Sequence, residues 1–268
     1  MAKFTQTYPT DLKYTEWQQI EQYFPPSKRG RPCKWETWLI INSIFYVSRT
    51  GCQWRMLPSN FPPWQTAYGY YRRWLKAGLW ATVNAALVRQ VRTQAGHEPE
   101  PSAAVIDSQS VKTSEGGEAR GVDVHKQTPG RKRHIVVDTL GLLLLVVVHS
   151  ASIQDAAGGQ LVLQRLFARI KRSKFNRWCR LKLIWADGAY ANLIEPARKL
   201  FGWRLDLVRR LEGTKGFQVL PHRWVVERTF GWLGRYRRLS RDYEHTVESS
   251  EAMVYLASIR RTLKFATK

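Results

Sequence analysis

The sequence predicts a mixed α/β fold in two parts, an all-helical segment over 1–98 and a helix-flanked, five-stranded sheet over 99–268. Three observations carry this. Apolar residues recur at helical spacing through the first hundred residues, and from Ala103 they switch to short apolar runs closed by Asp or by a Gly turn. Between the two patterns, Gly96-His97-Glu98-Pro99-Glu100-Pro101 breaks the chain.

In the helical part, Thr15 and Gln18 form a capping box, and Trp17, Ile20 and Phe24 follow at helical spacing until Pro25-Pro26, which predicts a helix over 16–24. A second, mostly buried helix covers Trp35 to Val47 and ends near Gly51. Pro58, Pro62 and Pro63 force a loop. A third helix starts near Trp64 and carries Tyr68, Tyr71, Trp74 and Leu75; a fourth runs from about Trp80 to Gln94.

In the second part, Ala103-Ala104-Val105-Ile106 reads as a buried strand with Asp107 at its exit. Thr113 to Gly130 is Gly-rich and polar and reads as a mobile segment. His134 to Val137, a turn at Asp138-Thr139-Leu140-Gly141, and Leu142 to Val148 predict a β-hairpin. Asp155, a competing site carboxylate because Gln154-Asp155-Ala156 also follows a strand, reads rather as the N-cap of an amphipathic helix that ends in the basic run Lys171 to Arg180. A strand over Leu181–Ala186 closes on Asp187-Gly188. A helix from about Asn192, a strand over Trp203–Val208 and a long helix from about His222 complete the order.

Forty-three basic residues against 21 acidic ones give a net charge of +22, which points to a polyanionic partner. The excess is spread along the chain, with 13 basic against 6 acidic residues in 1–100, 20 against 10 in 101–220 and 10 against 5 in 221–268, so it belongs to folded basic faces and not to a tail. The longest apolar run, Leu140 to Val148, is far short of the roughly 20 residues of a membrane-spanning helix. Cys33, Cys52 and Cys179 are odd in number and lack zinc-site spacing, and residues 1–30 lack the apolar core of a signal peptide, which predicts a reduced, cytoplasmic chain.

Two groups of basic residues are candidate DNA contacts. Lys28, Arg29 and Arg31 in Ser27-Lys28-Arg29-Gly30-Arg31-Pro32 suit an extended loop in a narrow minor groove, or a plain solvated loop between helices. Arg72, Arg73 and Lys76 suit a recognition helix of helix-turn-helix type, or a solvated polar face. The chemistry is expected from carboxylates. Asp107 and Asp187 follow strands and Glu227 lies on a late helix, so the three can converge at one sheet edge as oxygen ligands for Mg²⁺. Two such ions activate the attacking oxygen and stabilise the leaving oxygen of an in-line phosphoryl displacement. On a helical wheel Arg223, Gly231, Gly234 and Arg238 lie within about 40° of Glu227, a bare stripe flanked by arginines that lets a DNA backbone approach. Singly, each acid has a structural explanation, as a turn, a cap or an exposed ion pair.

The chain resembles the DDE transposases of bacterial insertion sequences, in the group named after insertion sequence five. The resemblance spans nearly all of it: Gly30-Arg31-Pro32, Thr50 to Pro58, Phe61 to Thr66, Ile106 to Lys112, Gly130 to Ile135, Ala186-Asp187-Gly188-Ala189-Tyr190 and Arg223 to Phe230. It implies an RNase H-like catalytic core with Asp107, Asp187 and Glu227 as acidic triad, and a helical DNA-binding domain in front of it. It implies Mg²⁺ as cofactor, with Mn²⁺ able to substitute and two ions expected. The implied reaction is cut-and-paste transposition: binding of terminal inverted repeats, strand cleavage, and strand transfer into double-stranded target DNA by a dimer or higher multimer in the bacterial nucleoid. Lys132, Arg133, Arg223, Arg228, Arg235 and Arg238 are then the expected phosphate contacts. The related Tyr-Arg-Glu-Lys signature is kept in part: Arg223 precedes Glu227 by four, while Leu220 and Gly234 stand at the tyrosine and lysine positions, with Arg235 one residue along. Another class, a catalytically inactive repressor derived from a transposase, would keep the DNA contacts without the chemistry. A recombinase with a covalent nucleophile at Ser108, Tyr190 or Tyr243 lacks an activating neighbour.

Overall fold

The computed structural model describes residues 4, 6–25, 33–114, 116–172, 180–208 and 222–267. The loop with Lys28, Arg29 and Arg31, the basic stretch 173–179 with Cys179, and Leu220 lie outside the described residues.

The first helix, α1 (Tyr14–Gln18), starts earlier than Thr15 and Gln18 suggest. Glu16 accepts the backbone N–H of Lys13 at 2.8 Å, which fixes the start there, and a 3₁₀ turn over Glu21–Tyr23 takes the place of the second half of the expected helix. Helix α2 (Thr37–Thr50) ends on Gly51, whose N–H donates to the Val47 carbonyl at φ +75°, a conformation suited to glycine. Helix α3 (Trp64–Lys76) buries Ala67, Tyr71 and Trp74 at spacings of four and three. After the short turn Ala77-Gly78 comes α4 (Leu79–Gln94).

The sheet begins with β1 (Ala103–Lys112), followed by β2 (Gly121–Asp123), β3 (Thr128–Asp138) and β4 (Leu143–Ser150). Helix α5 (Asp155–Arg172), β5 (Leu183–Ala186), α6 (Ile194–Phe201) after a 3₁₀ turn, β6 (Arg204–Leu207), α7 (Arg223–Leu233) and α8 (Val247–Ala266) complete the order. Strand β1 is central: it pairs antiparallel with β3 and parallel with β5, β5 pairs parallel with β6, and β4 pairs antiparallel with β3. This is a mixed, helix-flanked sheet of six strands, and not the expected five, because β2 joins it. Short β2 prolongs the β4 edge of β3.

Three further expectations are corrected. Strand β1 runs to Lys112, so Asp107 sits inside it and not at its exit; the polar half, Ser108 to Lys112, stays extended because β3 pairs with it up to Gly130. The segment from Thr113 to Gly130 contains β2 and is pinned to β3. The long helix from His222 is two helices, because α7 ends at Leu233 and the chain turns through Gly234 and a 3₁₀ turn at Arg237–Leu239 before α8.

Alternation along the strands splits the sheet between two apolar layers. Ala104, Ile106 and Val136 face α5 and α6 with Val162, Leu163, Leu166 and Ala197. Val105, Ile135 and Val137 face the other way, into a layer with Val226 of α7 and Met253 and Leu256 of α8. That second layer is continuous with Ile41, Ile44, Tyr71 and Leu87 of α2 to α4, so the N-terminal helices share a core with α8. No described helix is long and apolar enough to cross a membrane.

Where α5 crosses the sheet, Gly158 lies against two imidazoles. A Cβ there would fall within 2.5 Å of His134 Nε2 and closer still to His149 Nε2. Gly158→Ala is expected to destabilise the fold by about 1–3 kcal/mol through overpacking. An unchanged thermal midpoint would mean that α5 lifts without strain.

Candidate functional site

The strand register brings the first two acids together. Ala103, Ala104 and Val105 of β1 pair with Leu183, Ile184 and Trp185 of β5, and continuing that offset sets Asp107 beside Asp187. Neighbouring strands lie about 4.8 Å apart. Both acids fall on the face of Val105 and Trp185, the face that α7 covers, and Glu227 is on α7. Arg223, one turn before Glu227, stands between them: its Nη2 is 4.0 Å from Asp187 Oδ2 and 3.5 Å from Glu227 Oε1. At the entry to α7, His222 adopts φ +66° and stacks on Trp185 with ring centroids 3.9 Å apart.

Each aspartate has one oxygen held by the backbone. The Ser108 N–H donates to Asp107 Oδ1 at 2.7 Å, and the Ala189 N–H to Asp187 Oδ1 at 2.9 Å. Burial pushes the Asp107 carboxyl up to about 6, and the charge of Asp187 adds to this, against the Ser108 N–H and Arg223, which pull the other way. Three carboxylates, one of them desolvated beside another, are a donor set of the right chemistry for a hard divalent cation. As the side chains stand, no three such groups among the described residues are close enough to hold one; Arg223 brings positive charge to the cluster.

Behind Asp107 lies a buried polar network that sequence reasoning missed. Ser108 Oγ donates to Asp155 Oδ1 at 2.8 Å, and Lys132 Nζ lies 3.1 Å from the same oxygen and 3.4 Å from Asp123. Tyr190 Oη and His134 Nδ1 share a hydrogen bond of 3.0 Å. Tyr190 thus has a histidine neighbour that the sequence did not show, but both are buried away from any approaching DNA, and burial raises the Tyr190 hydroxyl. Although burial raises the Asp155 carboxyl, Ser108 and Lys132 outweigh it and hold the group below its ordinary value. Burial and then His149 drive His134 down to about 3, so that imidazole is neutral. The signal for this network was the basic run in β3 itself. A strand with neighbours on both sides buries such side chains, and buried charges must be paired.

That network removes several expected phosphate contacts. Lys132 is buried between Asp123 and Asp155 and donates to the Ile153 carbonyl. Arg133 is buried, donates to the Leu239 and Arg241 carbonyls and faces Asp242. Arg238 leaves the Glu227 stripe because α7 has ended, and it pairs with Glu244 at 2.7 Å. Arg228 is clasped between the rings of Trp224 and Trp232, with centroid distances of 4.2 and 4.4 Å. By contrast Arg72, Arg73, Lys76 and Arg235 are exposed, with Arg72 over Tyr68 and Arg73 over Tyr70.

A family model for a transposase DDE domain matches residues 98–260, and one for a putative transposase of the IS4/5 family matches residues 12–84. The chain is 30% identical over 130 residues to the putative transposase for insertion sequence element IS402 of Burkholderia cepacia, covering 48% of this chain and 60% of that protein. It is 25% identical over 80 residues to the uncharacterized protein y4sN of Sinorhizobium fredii, covering 30% of this chain and 64% of that one. The chain thus matches less than two thirds of the length of these relatives. Among solved structures, a pre-cleavage Mos1 transpososome aligns with 93% of this chain and 83% of that one at 11% identity and a TM-score of 0.31; the Mos1 mariner paired end complex with Mn aligns with 92% and 83% at 12% identity and 0.30.

Proposed function

The chain belongs to the transposase DDE-domain family, and on that premise we propose that it binds the terminal inverted repeats of an insertion sequence and catalyses DNA strand cleavage and strand transfer, with Asp107, Asp187 and Glu227 as its acidic triad. The register that aligns Asp107 with Asp187, on the face covered by α7, is the observation that carries this reading.

Asp107, Asp187 and Glu227 would hold divalent metal, two Mg²⁺ ions or Mn²⁺ in their place, and such ions supply Lewis-acid stabilisation of the attacking and leaving oxygens. The chain's own groups do the positioning. The Ser108 and Ala189 N–H groups fix one oxygen of each aspartate, and the His222–Trp185 stack sets the start of α7 and with it Glu227. Arg223, between two of the acids, is placed to take a phosphate oxygen. Arg72, Arg73 and Lys76 on α3, with Lys28, Arg29 and Arg31, grip the duplex outside the site, which fixes register. Water attacks the phosphodiester at the element's border and frees a 3′-hydroxyl. That hydroxyl then attacks target DNA, exchanging one phosphodiester for another, so no ATP is consumed. A dimer or higher multimer holds the two ends. The domain division at 98/99 belongs to this proposal, with end recognition in front and chemistry behind.

The test is cleavage and joining of DNA carrying the element's ends. Asp187→Ala and Glu227→Ala are each expected to lose activity by roughly 10³-fold or more while still retarding end DNA in EDTA. Full activity in either variant removes that residue from the site. Binding without nicking by the unaltered protein at any Mg²⁺ or Mn²⁺ concentration would instead indicate a non-catalytic DNA-binding protein.

A further inference from the structure

About 140° round α7 from Glu227, Trp232 forms one wall of a groove of about 570 Å³ between α2, the end of α7 and the last turns of α8. Among the described residues its lining has five basic side chains, Arg49, Arg235, Arg260, Arg261 and Lys264, and no acidic one. Arg260 is paired with Glu16 at 2.7 Å behind the wall. Arg49 donates to the Arg235 carbonyl at 2.6 Å and lies over Tyr236. Arg261 lies 3.2 Å from the Trp232 centroid and 5.2 Å from that of Phe265, and its hydrogen bond goes to the neutral Gly141 carbonyl. Arg235 and Lys264 are exposed. Burial, then Arg228, bring the Arg261 guanidinium down to about 9; burial, then Arg260, lower Lys264 as well.

Crowded, partly desolvated cations with no carboxylate on the groove lining itself are unfavourable in the free protein, and an anion in the groove relieves that. The aromatic walls narrow the choice of anion. Trp232, Phe265 and Tyr46 border the same space as the cations, and bases stack on such rings only when they are not hidden inside a duplex. A continuous alternation of rings and guanidinium groups, Trp224, Arg228, Trp232, Arg261 and Phe265, also runs from the turn of α7 that carries Glu227 to this groove.

We propose that this groove is a second, metal-independent nucleic-acid site that takes a single-stranded DNA segment, its phosphates on Arg49, Arg235 and Lys264 and a base against the exposed ring of Phe265. The inference rests on DNA being this chain's partner; it does not require the carboxylates to be catalytic. Arg235, expected to assist at the cleaved phosphate, acts here instead.

The test compares the full chain with the double variant Arg235→Gln/Lys264→Gln in EDTA, by fluorescence anisotropy with a labelled oligothymidylate and separately with end-containing duplex. For the single strand the variant is expected to bind ~10-fold more weakly, with a salt slope shallower by about 1.4, two contacts at about 0.7 each. Duplex affinity should stay within about twofold, and the melting curve should be unchanged. In the unaltered chain, a 5-iodouracil oligonucleotide should crosslink to the peptide containing Phe265. Unchanged single-strand affinity and slope would overturn the proposal, as would equal losses on single strand and duplex, or crosslinks confined to other regions. Failure of the unaltered chain to bind either DNA would instead overturn the DNA reading itself.

Discussion

Asparagine in place of Asp107 is expected to abolish strand cleavage while making the metal-free protein more stable above pH 6. Asp107 lies inside the central strand, half-buried, with its carboxyl pushed by burial to about 6 from an ordinary 3.8. A raised value means that the folded chain binds this proton more tightly than the unfolded chain. The folded state therefore loses stability as pH rises from about 4 through about 6 and carries the full penalty above that. At 1.36 kcal/mol per unit the ceiling is roughly 3 kcal/mol; partial exposure to solvent reduces it to about 1 kcal/mol, equivalent to a few degrees in midpoint for a chain of this size. Asparagine keeps the shape and still accepts the Ser108 N–H, but it carries no charge to desolvate. Melting curves of both proteins in EDTA from pH 4 to pH 8 isolate the difference: it should be near zero at pH 4 and favour Asp107→Asn by pH 7. Adding Mg²⁺ should reverse the order, because the unaltered site gains a ligand and the variant does not. A variant less stable than its parent at pH 8 without metal would contradict the view of Asp107 as a carboxylate kept charged against its surroundings for a function.

Local sequence was enough for much of this. Trp64 to Lys76, the hairpin around Asp138 to Gly141 and the strand before Asp187 are where apolar periodicity or turn residues place them, because those elements bury one stripe or one run irrespective of the rest. What escaped depended on distant partners. Gln109-Ser110-Val111-Lys112 has no strand pattern of its own and is extended because β3 pairs with it. Lys132 and Arg133 read as phosphate contacts until Asp123, Asp155 and Asp242, from three other segments, are seen beside them. Arg238 was assigned by extending a helix through Gly234, whereas the glycines at 231 and 234 mark its last turn and its end. The core shared by α4 and α8 joins residues at opposite ends of the chain, and no local pattern announces it. Of the site, the residue types and spacing pointed to the three acids; the supporting network behind Asp107 needed the fold.

Arg131→Met is expected to be among the most destabilising single changes, at about 3–5 kcal/mol, or roughly a 10 °C fall in thermal midpoint. Arg131 is completely buried. It donates to the Glu118 carbonyl through Nε and Nη2, to the carbonyls of Glu244 and His245 at 2.8 Å each, and pairs with Asp242 at 3.3 Å. Asp242 in turn receives the Ser250 hydroxyl and the Glu244 N–H, and its own backbone N–H donates to the Lys112 carbonyl. One guanidinium thus ties the segment after β1, the middle of the sheet and the connection into α8. Methionine fills much of the same space but leaves the carbonyls of Glu118, Glu244 and His245 without this donor and leaves Asp242, itself buried, to Arg133, 3.6 Å away. The double variant Arg131→Met/Asp242→Asn should lose less than the two single variants combined, because the second change removes the charge that the first strands. A single-variant loss below about 1 kcal/mol, or strict additivity, would show that the Arg131–Asp242 pair does not hold this connection, and the case for withdrawing the basic strand from the DNA surface would weaken with it.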